Sequence, residues 1–73
     1  MEMIPVQSSS IAAIGYDNDT QTLRIQFKGK DNPEWEYDEV PPLKYYRLQK
    51  AHSPGAYFHE NIKGKHPGRK VAS

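Results

Sequence analysis

Six consecutive residues, Leu23-Arg24-Ile25-Gln26-Phe27-Lys28, alternate apolar and polar without a break. A period of two is the signature of a strand with one face on a core and the other in water, so a strand is expected over Thr22 to Lys28. Upstream, Ile11 to Tyr16 is a short apolar stretch. Asp17-Asn18-Asp19-Thr20 lies between the two, and short polar side chains of this kind close turns onto their own backbone. The spacing predicts an antiparallel hairpin. A second break, Gly29-Lys30-Asp31-Asn32-Pro33, leads into Glu34 to Val40, where Trp35 and Tyr37 alternate with Glu34, Glu36 and Asp38. That is a third strand. Pairing it with the second sets Arg24, Gln26 and Lys28 on the same face as the three acids, where opposite charges across strands contribute roughly 0.2–1 kcal/mol per pair. Leu23, Ile25, Phe27, Trp35 and Tyr37 are left as an apolar face that needs a cover.

The remainder of the chain offers one. Pro41-Pro42 ends the third strand and suits a first helical turn, where the missing N–H costs nothing. A first helix is expected to run to about Ala51, with Tyr45, Leu48 and Ala51 as its apolar stripe. Ser53-Pro54 then reads as an N-cap with proline after it, and Gly64 as a left-handed C-terminal glycine. The second helix is expected over Pro54 to Lys63, burying Phe58 and Ile62. Beyond Gly64 the segment from Lys65 to Ser73 is basic and has no apolar period, so it is read as a disordered tail. The expected architecture is α+β: a three-stranded antiparallel β-meander covered on one face by two C-terminal helices, with residues 1–64 as a single domain and 65–73 as a flexible basic tail. At 73 residues there is room for one core only. Without cysteine, neither a disulfide nor a thiolate metal site reinforces it. No basic-then-apolar leader or spanning stretch is present, and the expected setting is the cytoplasm, away from membranes.

Nothing in the chain reads as a catalytic centre. Glu34, Glu36 and Asp38 lie on an exposed strand face with no pocket to shift their acidity, and Ser8, Ser9 and Ser10 lack a glycine elbow and an assignable base. His52, His59 and His66 recur every seven residues, whereas a helical zinc pair needs a spacing of four. Asp17-x-Asp19 opens like a calcium loop, but Thr22 stands where the glycine belongs and Lys28 where the bidentate glutamate belongs. The expectation is no enzyme, no cofactor and no metal.

Charge gives a more pointed signal. Residues 1–43 carry three basic side chains against eight acidic ones, and residues 44–73 carry seven against one. Such asymmetry either marks an anionic partner or satisfies itself when the halves pack. Lys44, Arg47 and Lys50 fall along one stripe of the first helix beside Tyr46, a minimal site for phosphates and one base, and Lys63, Lys65, Arg69 and Lys70 extend it. These eight residues are the candidate nucleic-acid-binding set. The rings of Trp35, Tyr37 and Phe27 would make a stacking platform on an open sheet, but with few other large apolar residues in the chain they are read as core.

The ordered features also resemble a known family. Val6-x-Ser8-Ser9, Ile14-Gly15-Tyr16-Asp17, Val40-Pro41, Tyr45, Leu48, Ala51-x-Ser53-x-Gly55-x-Tyr57-Phe58 and Ile62 follow the order seen in the KTSC domain. That module is named from the C-terminus of some lysyl-tRNA synthetases and also occurs as small stand-alone bacterial proteins. The similarity spans about residues 6–62. Trp35-Glu36-Tyr37 stands where the family usually has Tyr-x-Tyr, and His59 where it usually has asparagine. The resemblance implies the α+β fold and no established activity; RNA binding is what the synthetase setting suggests. The leading expectation is a non-catalytic module that binds RNA or another polyanion through the basic second half. The alternative is a protein-interaction module using Tyr46, Tyr57 or the edge of the sheet.

Overall fold

In the computed structural model, which describes residues 1–72, the chain runs β1 (Ile4–Pro5), β2 (Ile11–Asp17), β3 (Thr22–Phe27), β4 (Glu34–Tyr37), α1 (Pro42–Lys50), α2 (Pro54–Asn61) and β5 (Gly68–Ala72). The five strands form one antiparallel sheet in sequence order. The expected hairpin is present: the Asp17 carboxylate accepts the backbone N–H groups of Asp19 and Thr20 at 3.0 and 3.4 Å, closing the turn between β2 and β3. In the registers that follow, Ile14 faces Ile25 and Ile25 faces Trp35, while Leu23 faces Tyr16 and Tyr37. Residues directly opposite in an antiparallel ladder share a face. One apolar face therefore carries Ile14, Tyr16, Leu23, Ile25, Trp35 and Tyr37.

The two helices cover that face, as the proline and serine signals predict. Ser53 accepts the Ala56 N–H at 3.4 Å, with Pro54 in the first turn. Leu48 of α1, Phe58 of α2 and Ile62 beyond it join Ile11, Ile14, Leu23, Ile25, Tyr37 and Val40 in the buried core. The Tyr16 and Tyr45 rings stack across the sheet–helix junction with centroids 4.9 Å apart.

Two expectations need correction. The sheet has five strands rather than three. The extra strand at one edge is β1, only two residues long and ending in proline, too short to leave a period in the sequence. The other is β5, built from the segment read as a disordered tail; Ser73 alone lies outside the described residues. β5 has no apolar alternation because backbone pairing to β4 and charge hold it. Asp38 N–H also donates to Pro67 O at 2.9 Å, just outside the ladder. Arg69 reaches Glu36 at 2.8 Å and Asp38 at 2.6 Å. The chain turns back after α2 through Lys65 N–H and His66 N–H, both donating to Ile62 O. Gly64 lies in the left-handed region, φ 80°, within that turn, which agrees with its reading as a terminating glycine.

Candidate functional site

The polar face of the sheet uses the charges that the alternation places there. Arg24 Nε donates to Glu36 at 3.0 Å, its guanidinium lies 3.6 Å from Glu34, and Gln26 donates to Glu34. Glu36 sits between Arg24 on one side and Arg69 on the other. Glu34, Glu36 and Asp38 are thus members of a cross-strand ion ladder. Arg69 is committed to it, its guanidinium pushed further up by the hydrogen bond to Asp38. Part of the acidic–basic asymmetry is satisfied within the molecule in this way. Ser8 has a local task as well: its hydroxyl accepts the N–H groups of Ser10 and Ile11, both at 3.2 Å, at the entrance to β2.

The other predicted residues separate into three groups. Lys44 is an internal tie, its ammonium 2.9 Å from Asn61 O and 2.8 Å from His66 Nε2. Tyr46, Arg47 and Lys50 stay together on the exposed side of α1, with Lys50 Nζ 5.9 Å from the Tyr46 ring centroid. Lys63, Lys65 and Lys70 are exposed around the turn and strand that follow α2. Among the described residues none of these three lysines forms an ion pair.

That third group borders a feature the sequence reading left inside the core. Phe27, Trp35, Tyr37, Phe58, Lys63, Gly64, His66 and Gly68 line a cleft of about 420 Å³ where the apolar face meets Phe58 of α2 and the turn that follows the helix. Tyr37 is core as expected, 7% exposed, and burial raises its hydroxyl pKa. Trp35 and Phe27 are only half-buried, packed against the core from the cleft side. Phe58 meets Phe27 edge-on at 5.4 Å and Tyr37 edge-on at 5.3 Å, while Trp35 stacks on Tyr37 at 6.5 Å with planes 17° apart. Gly68 is required here, since a Cβ on it would stand 2.5 Å from the Tyr37 ring. Lys70 faces Trp35 in the β4–β5 register and so shares its side of the sheet. No Asp or Glu is among the lining residues.

His66, weighed from sequence only as a zinc ligand and set aside, belongs to this site, and no spacing in the chain pairs it with Lys44. Burial lowers its pKa, the neighbouring Lys44 lowers it further, and the backbone of Asp38 and the charge of Glu39 act in the opposite direction. In the neutral ring Nε2 can accept from the Lys44 ammonium. This contact joins α1 to the cleft wall. Among the described residues no three His, Cys, Asp or Glu side chains gather as a metal site, and no helix is long and apolar enough to cross a membrane.

Comparison with known proteins gives the same architecture and a wider setting. The KTSC domain family profile matches residues 7–66. The crystal structure of a KTSC domain protein from Yersinia pestis superimposes with a TM-score of 0.91 at 38% identity, covering 97% of each chain. An uncharacterized protein of Stutzerimonas stutzeri is 33% identical over 66 residues, 90% of either chain. A lysine–tRNA ligase of Nostoc punctiforme is 36% identical over 63 residues, which are 86% of this chain but 11% of the ligase. On the strength of this profile, these identities and the shared fold, the chain belongs to the KTSC domain family.

Proposed function

We propose that the chain is a non-catalytic, cytoplasmic RNA-binding module whose contact surface is the aromatic cleft with Lys63, Lys65 and Lys70, extended by Tyr46, Arg47 and Lys50 of α1. The observation that carries this reading is the half-buried Trp35 in a cleft lined by no Asp or Glu, with lysines around it that form no ion pair among the described residues. Aromatic faces beside cations are what single-stranded nucleic acid needs, bases stacking on the rings and phosphates on the ammonium groups. Matching segments within lysine–tRNA ligases, whose substrate includes an RNA, support the same reading. Compared with the set expected from sequence, the weight moves from the α1 stripe to the cleft, because Lys44 and Arg69 are engaged inside the molecule.

The test is a titration with single-stranded RNA at several salt concentrations. Counterion release gives a slope of about −0.7 per contacted phosphate, so three to five contacts yield roughly −2 to −3.5. Replacing Lys63 and Lys70 together with Ala is expected to flatten the slope by about 1.4, and the same treatment of Arg47 and Lys50 by less. An absence of binding at high micromolar protein and low salt would remove the RNA reading. A protein-interaction module would then come forward, favoured by Leu43 and Tyr46, each 56% exposed and one turn apart on α1.

A further inference from the structure

Of the four rings in the cleft, three are turned toward one another. Phe58 is held edge-on by Phe27 and Tyr37, and Tyr37 is also overlaid by Trp35. Trp35 is paired with a ring on one side only, and it is half-buried rather than core. The side of its indole away from Tyr37, which no other ring of the chain covers, is the candidate stacking surface. The cleft is open to solvent on one side, and its volume of about 420 Å³ is at the small end of the range for sites that take one compact ligand. Two glycines, Gly64 and Gly68, form part of the lining, and a Cβ on Gly64 would meet nothing within 4 Å, so the approach on that side is open. The cations are on the rim: Lys63 lines the cleft, and Lys70 projects beside Trp35 from the adjacent strand. An aromatic lining, an indole stacked by a ring on one side only and lysines at the lip suit a planar base carrying a phosphate.

We propose that the cleft receives one unpaired nucleotide, its base stacked on the outer face of Trp35 and its phosphate held by Lys63 and Lys70. This deepens the RNA reading and rests on it. A base inside a duplex has both faces covered by its neighbours, so the site selects unpaired positions by exclusion and not by hydrogen-bond readout. Such a site would be nearly indifferent to which base enters, since every base has a π-face.

Trp35 is the one tryptophan of the chain, so its emission reports directly from the cleft. Adenosine monophosphate, adenosine, inorganic phosphate, a short single-stranded RNA and the same RNA as a blunt duplex are each titrated against that emission, with anisotropy of labelled RNA followed in parallel. The expected result is saturable quenching by adenosine monophosphate and by the single strand, none by phosphate alone and little by the duplex. Lys63→Ala with Lys70→Ala should weaken adenosine monophosphate by about two- to fivefold per removed lysine and leave adenosine unchanged. Trp35→Ala should weaken the single strand by about 5- to 150-fold in anisotropy; the wild-type emission keeps the test decisive if that variant does not fold. Single-stranded RNA that raises anisotropy while Trp35 emission stays constant would overturn this inference and leave the RNA reading standing. So would equal quenching by duplex and single strand. No response in either signal would remove the RNA reading and this inference with it.

Discussion

Gly68 and His66 show how much of the cleft depends on single positions. At Gly68 the Tyr37 ring lies across the strand where a side chain would begin, and an added Cβ would come within 2.5 Å of it. Gly68→Ala is therefore expected to displace Tyr37 from the core, at a cost of roughly 1–3 kcal/mol, the usual range for overpacking, measured as a lower urea midpoint. His66 links acidity to stability. Its folded pKa lies below the ordinary 6.5, chiefly through burial and then through Lys44. The folded chain then binds fewer protons than the unfolded one in the window between the two values, and stability rises with pH across it. The contribution is complete above 6.5 and is lost as the pH falls from there through the lowered folded value. A urea midpoint followed between about pH 5 and 8 should decline on the acid side, and His66→Gln should reduce that decline. A parallel decline in the variant would assign it to other groups.

At the scale of elements, β5 is where expectation and structure part most clearly. A segment of lysine, arginine, histidine, glycine and proline without periodicity reads as a tail, and truncation after Lys65 would then be harmless. In the folded protein the same residues complete the sheet, supply both Arg69 ion pairs and close one wall of the cleft. Removing residues 66–73 also leaves Lys44 without its His66 partner. The truncated chain should melt lower by about 5 °C or more, since each kcal/mol is worth about 4–8 °C in a domain of this size. An unchanged melting temperature would mean that β5 contributes nothing to the fold. Strands β2, β3 and β4 behave differently. Their alternation and turns are local, so their positions were readable to within a few residues, the third ending at Tyr37 rather than Val40. Both helices likewise start where proline and serine signal them, α2 ending at Asn61, two residues before the expected Lys63.

For the molecule as a whole, the lopsided charge of the two halves resolves into two parts. One is neutralised across the outer face of the sheet, where Glu36 bridges Arg24 and Arg69; the other leaves Lys63, Lys65 and Lys70 around the cleft. The family, the α+β class, the meander and the two covering helices were legible in the chain itself, because periodicity, turn residues and caps act over a few neighbouring positions. The candidate site was only half legible. Lys63, Lys65 and Lys70 stood out as charges, and Phe27, Trp35 and Tyr37 as aromatics on one face, but no local rule says how far a helix extends over a sheet. That coverage is a matter of packing: α2 stops at Asn61, Phe58 reaches Phe27 and Tyr37, and Trp35 is left at the margin. The same holds for β5, whose ladder partners lie more than thirty residues earlier and whose ion pairs exist only once β4 is in place. Sequence by itself determined what forms through neighbours along the chain. The tertiary structure decided which side chains are spent on one another and which remain available, because burial and charge pairing depend on distances that only the folded chain has.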